Sequence, residues 1–153
     1  MTPTLHEDIR RVLDRQGTSD LAFDSIVSRL MSVFDAEAAV VYTLDPATGM
    51  LKLRCHNGLP RNVSDKLRFM CLGKGLPGKA AVLRRPVQAI HHPESVCPEE
   101  LEVLPPGSLF VPMISENSLR GVIGVAKHFH REYAPDEITA LTTVADIIAS
   151  YLK

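Results

Sequence analysis

The chain has 153 residues, 45 % of them hydrophobic, and a mean hydropathy near zero, which suits one soluble domain with its own core and excludes a disordered or disulfide-stapled chain. A net charge of −1 with interspersed signs gives no electrostatic reason to bind nucleic acid, and no basic face with interleaved aromatics stands out. No apolar run approaches the ~20 residues of a membrane span, MTPTLHEDIRR is too charged for a signal peptide, and Cys55, Cys71 and Cys97 form no C-x-x-C pair, so no membrane partner and a cytoplasmic address are expected.

At the N-terminus Leu5, Ile9, Val12 and Leu13 keep helical spacing up to Gly17, so residues 1–17 are expected to form a helix. After the cap-like cluster Thr18-Ser19-Asp20, a second helix is marked by Phe23, Ile26, Val27, Leu30, Val33 and Phe34. Residues Ala38 to Leu44 are nearly all apolar, as in a central strand covered on both faces. The turn Asp45-Pro46-Ala47-Thr48-Gly49 follows, and Leu51, Leu53 and Cys55 then alternate with Lys52, Arg54 and His56, which completes an antiparallel hairpin. Further strands are expected over Leu67 to Leu72, Val87 to Ile90, Leu109 to Ile114 and Leu119 to Lys127. The last two are joined by the polar link Ser115-Glu116-Asn117-Ser118. Ile138, Leu141, Ala145, Ile148 and Leu152 then step by three and four behind Pro135, Asp136 and Glu137, the pattern of a closing helix. Its stripe fits either a partner helix or the protein's own sheet, and it still runs at Leu152, as it would in a piece of a larger regulator. Antiparallel strands between terminal helices make an α+β architecture.

Between the strands, GKGLPGKAAVLRRP fits two phosphate-binding patterns. Gly73, Gly75 and Gly78 spell G-x-G-x-x-G, and Gly73 to Lys79 resemble a P-loop one residue short. The P-loop reading lacks the hydroxyl that holds magnesium, because Ala80 follows Lys79. The dinucleotide reading lacks a crossover helix, because Arg85 precedes Pro86 and is pushed out of helical geometry, and Glu94 is poorly placed to hold a ribose. The remaining reading is a glycine-shaped turn into a short helix of about two turns, with Pro77 at a favourable early position. Lys74 and Lys79 at its start leave an anionic ligand open.

The order of these pieces resembles the GAF sensory domains. The resemblance rests on AVVYTLDPATGMLKLRCHNGLP, the glycine turn with Arg85-Pro86-Val87, SLFVPMI, RGVIGVAK and the helix after YAPDE, and it spans nearly all of residues 1–153 as a single domain. The look is nearest to the GAF domains of nitrogen-fixation transcriptional activators and nitrogen-related phosphotransferase enzymes. It implies a five- to six-stranded antiparallel sheet, an α/β sandwich with the terminal helices on one face and a pocket under loops and a short helix on the other. Met70, Leu76, His91, His92, Ser108 and Phe110 would line the pocket, with Gly73, Gly75 and Gly78 shaping the turn.

The subtypes of that family are separable on residues. The cyclic-nucleotide motif is matched loosely by Lys127, Tyr133, Asp136 and Glu137, with Ala126 in place of its asparagine. Cys55-His56 resembles a pigment attachment pair but falls in a strand, where Cys55 reads as a small buried apolar residue. A free methionine sulfoxide reductase would work through pocket cysteines, here Cys71 and Cys97, although the tryptophan of that subfamily is missing. His91-His92, or His128 and His130, could join Cys97 at a metal, but no ligand spacing is diagnostic, and no metal site is assigned.

The expectation is therefore a regulatory, non-enzymatic domain that binds a small molecule whose identity, like that of any cofactor, the residues do not name. Ligand binding would order Phe69 to Pro105 and act through a homodimer of terminal helices on effector domains. The alternatives are a thiol-based reductase and a ligand-free dimerisation module.

Overall fold

The structure, a computed structural model, describes residues 2–91, 107–128 and 132–152. Helix α1 (Thr2–Gln16) ends where Gly17 turns left-handed at φ 62° and donates its N–H to the Leu13 carbonyl. Helix α2 (Asp20–Phe34) starts at Ser19, whose Oγ accepts the Ala22 N–H at 3.2 Å, with Asp20 adding a favourable charge to the first turn. The chain then enters β1 (Ala38–Leu44) and returns as β2 (Leu51–Asn57). In the turn between them, Asp45 accepts the Ala47 N–H with its side chain and the Gly49 N–H with its carbonyl.

Beyond this hairpin the structure corrects the expected strand over Leu67 to Leu72. Pro60, held extended, opens a short helix α3 (Arg61–Lys66), and only Phe69–Met70 pairs as β3. Helix α4 (Gly75–Leu83) ends at Arg84, which is left-handed at φ 57°, just before Arg85-Pro86 as the proline demands. The expected strand over Val87 to Ile90 is likewise shorter: β4 covers Val87–Gln88, and Ala89–His91 forms a 3₁₀ turn. Strands β5 (Gly107–Ser115) and β6 (Ser118–Lys127) are joined through Glu116 and Asn117, both left-handed, as a two-residue hairpin requires. Helix α5 (Pro135–Tyr151) begins with the Glu137 carboxylate accepting the Ala134 N–H at 2.9 Å.

The sheet runs β3-β2-β1-β6-β5-β4 with every pair antiparallel. Alternation sorts its residues onto two cores. Ala39, Val41, Leu109, Val111, Met113, Ile123 and Val125 pack under α1, α2 and α5, while Val40, Tyr42, Phe110 and Val122 face α3 and α4. Leu5, Ile9 and Leu13 of α1 and Leu141, Ala145 and Ile148 of α5 are all buried in the first of these cores. Burying a Leu or Ile yields roughly 1.5–3 kcal/mol, so the two terminal stripes are satisfied by packing within one chain.

Two contacts fix the start and end of α5. Tyr133 donates its hydroxyl to the Gly107 carbonyl at 2.8 Å and its N–H to the Gln88 side chain at 2.7 Å, which ties the entry of the helix to β4 and β5. At the far end Tyr151 donates to Asp14 of α1.

Candidate functional site

On the face covered by α3 and α4, three strands bring small side chains into register. Ala38 of β1 lies opposite Ala126 of β6, and Ala126 lies opposite Ser108 of β5. The next row on the same face holds Val40, Gly124 and Phe110. Short side chains along the first row leave a hollow in the sheet, which Leu59 and Leu67 close from above. The space open to the centre of a water-sized sphere is about 20 Å³, room for about one water.

Two contacts set its walls. The Tyr42 hydroxyl donates to the Leu67 carbonyl at 2.8 Å, fastening the roof to the floor strand. The Phe110 ring packs against Gly124, where a Cβ would stand 2.5 Å from a ring carbon. Ser108 and Tyr42 supply the hydroxyls of an otherwise apolar lining, and among the described lining residues there is no carboxylate, imidazole, amine or thiol.

The structure distributes the expected pocket residues unevenly. Ser108 and Phe110 line the hollow. Met70 of β3 and Leu76 of α4 are buried in the same core but do not line the hollow. His91 is exposed, with Nε2 2.7 Å from a Glu132 carboxylate oxygen, and His92 lies outside the described residues. Sequence reasoning missed Ala38, Tyr42, Leu59, Leu67, Gly124 and Ala126. The available signal was the pair of small residues Gly124 and Ala126 at alternate positions of β6, which meets Ala38 and Ser108 only once the register is known.

The glycine turn is a packing device. The Lys74 N–H donates to the Cys71 carbonyl at 3.1 Å across a tight turn in which Gly73 takes φ 86°. Gly73 donates its own N–H to the Gly78 carbonyl at 2.9 Å, which closes the turn onto the first turn of α4. Gly75 is also left-handed, at φ 63°.

The cysteines divide by face. Cys55 is buried under α2, its Sγ 3.1 Å from an Asp24 carboxylate oxygen, and burial together with that hydrogen bond pushes its pKa up to about 12. The thiol is therefore held protonated and unreactive. Cys71 is exposed on the glycine turn, and Cys97 lies outside the described residues. Tyr133 and Glu137, read loosely as part of a nucleotide motif, serve to anchor and cap α5. Among the described residues no three of His, Cys, Asp and Glu converge on a point as a metal would require. His130 lies outside them. No described helix is long and apolar enough to cross a membrane.

The fold recurs in solved structures. The GAF domain of a phosphoenolpyruvate-protein phosphotransferase from Coxiella burnetii matches with a TM-score of 0.78 at 22 % identity, covering 97 % of this chain and 92 % of that one. A putative GAF sensor protein from Burkholderia vietnamiensis matches with a TM-score of 0.80 at 18 % identity, over 99 % and 92 %. Free methionine-R-sulfoxide reductase from Neisseria meningitidis, solved with its substrate, gives a TM-score of 0.80 at 16 % identity, over 98 % and 87 %. No curated protein matches the chain. The family model for the GAF domain matches residues 14–153. With that match and the six-stranded antiparallel sheet, the chain belongs to the GAF domain family.

Proposed function

We propose that residues 1–153 act as one sensory domain that binds a small, largely apolar molecule in the hollow between β1, β6 and β5 and reports its occupancy through the terminal helices. The observation that carries this reading is the register row Ala38, Ala126 and Ser108, roofed by Leu59 and Leu67. A cavity of about 20 Å³ holds no metabolite as it stands, so binding requires the roof or Phe110 to move, and a ligand that favours the open arrangement shifts the population. Phe110 alternates along β5 with Leu109 and Val111, which pack under α1, α2 and α5. Movement of one face of that strand is thereby felt by the helices on the other.

A homodimer and effector domains remain part of the proposal as its output. Because the stripes of α1 and α5 are buried inside one chain, such a dimer would form through another surface. Native mass spectrometry of the purified protein, followed by thermal shift against a metabolite panel, tests the reading. A retained ligand or a stabilised melting transition is expected. An empty chain that no metabolite stabilises would overturn it and favour a ligand-free module.

A second reading has one observation in its favour, the shared fold with free methionine-R-sulfoxide reductases solved with substrate. It requires thiol-dependent turnover of free methionine sulfoxide that disappears when Cys71 or Cys97 becomes serine. Absence of turnover in the unaltered protein rejects it.

A further inference from the structure

Neutrality of the whole chain conceals a segregated face. Residues 61–85 hold seven of the chain's 17 cations and one of its 18 acids, a local charge of +6 within a total of −1. They build α3, β3, the glycine turn and α4, the layer that covers the second core. Arg61, Lys66, Arg68, Lys74, Arg84 and Arg85 are exposed there. So are large apolar side chains: Phe69 is 49 % exposed, Leu72 42 %, Val82 57 % and Leu83 38 %. Of the six exposed large hydrophobics among the described residues, only Leu21 and Ile90 lie elsewhere. Gly73 and Val82 are neighbours, since a Cβ on Gly73 would stand 3.7 Å from a Val82 methyl, so the turn and the helix present one surface. A concentration of exposed apolar side chains in the same short segment as six exposed cations is not what a freely solvated face carries.

We infer that this layer docks onto the surface of an anionic lipid bilayer, with Phe69, Leu72, Val82 and Leu83 entering the interface and the surrounding lysines and arginines meeting the headgroups. Charge complementarity selects the occupant. The other described residues carry a net −5, so the positive charge of the described structure is concentrated in this layer, which an anionic surface attracts. Phe69, Leu72, Val82 and Leu83 are exposed side chains, which suits insertion into a deformable plane. Two surface grooves lie on the helical face, along α2 and between α1 and α2. Long cationic stems can lie along the interface while their charged ends reach the phosphates. A second copy using the same face would set +6 against +6 and is disfavoured.

The test is cosedimentation of the full chain with phosphatidylcholine vesicles containing phosphatidylglycerol, with pure phosphatidylcholine vesicles alongside. Binding is expected only to the anionic vesicles and should weaken as salt rises. The triple variant Lys66→Glu, Lys74→Glu, Arg85→Glu is expected to lose at least about a hundredfold in partition, since each cation near an anionic surface matters individually. Phe69→Ser with Val82→Ser, which leaves the charge untouched, is expected to lose at least about tenfold. Circular dichroism confirms that each variant is folded. No binding to anionic vesicles overturns the inference. So does binding that the serine variants retain in full, or equal affinity for a DNA duplex that ignores Phe69 and Val82, because either would make the face a general polyanion footprint.

Discussion

Gly78 of α4 lies so close to the Cys71 carbonyl that a Cβ there would stand 2.4 Å from its oxygen and 3.0 Å from the Gly73 nitrogen. Both obstacles are backbone, held by the hydrogen bonds Gly73 N–H to Gly78 and Lys74 N–H to Cys71. The third glycine of G-x-G-x-x-G is needed here because the turn and the helix it feeds touch without side chains between them.

Gly78→Ala should therefore destabilise the protein by about 1–3 kcal/mol through overpacking. Gly17 makes the useful comparison: it is left-handed at φ 62° with nothing within 4 Å of a Cβ, so Gly17→Ala carries only a backbone cost of about 1–2 kcal/mol. Urea unfolding of both variants checks this. A Gly78→Ala protein as stable as the parent would mean that the turn is not packed as described.

Tyr42→Phe removes the donor that faces the Leu67 carbonyl at 2.8 Å in a buried setting. An orphaned buried acceptor costs about 1–3 kcal/mol. The roof of the hollow should also loosen, so amide exchange across α3 should accelerate more than exchange across α5. Uniform acceleration in both helices would show instead that the bond contributes only to global stability.

How much of this was legible beforehand depends on whether local chemistry or register decided the outcome. The hairpin turn at Asp45 to Gly49, the stop at Arg85-Pro86 and the start of the last helix at Pro135 are local signals, and the structure follows them. Helix α3 was hidden because Val63 and Leu67 are too few apolar positions to show a period in six residues, while Pro60 as its opening residue is weaker than a Ser or Asp cap. The hollow was only half visible. Ser108 and Phe110 could be named from one strand, but the contribution of Ala38, Gly124 and Ala126 arises from a row across three strands that no single stretch of sequence displays. The basic stretch over residues 61–85 is present in the sequence but averaged away in the total charge, and what the fold adds is that its cations and its large apolar side chains are exposed together.

Cys55 links stability to pH. Its thiol titrates near 9.0 when unfolded and at about 12 in the folded protein, raised by burial and by Asp24. Between these values the native state keeps a proton that the unfolded chain releases, so this group's contribution is fully present below pH 9 and fades as pH climbs toward about 12. Urea unfolding in mildly and more strongly alkaline buffer should show Cys55→Ala losing less stability over that range than the parent. Parallel slopes would reject the buried, carboxylate-bonded thiol. In the folded protein at neutral pH, alkylation should modify the exposed Cys71 and spare Cys55.

Phe110→Ala tests the hollow directly. The ring packs against Gly124 and bounds the cavity, so truncation should cost about 3–5 kcal/mol and leave an apolar void continuous with the existing space. A dry void of that kind takes up small apolar solutes, as engineered cavities lined by aliphatic side chains do. Benzene should accordingly raise the melting temperature of Phe110→Ala while leaving the parent unchanged, because the parent's space of about 20 Å³ is too small. If the variant loses little stability and gains nothing from benzene, the sheet and its roof collapse together when the ring is removed, and the register row holds no room for a ligand.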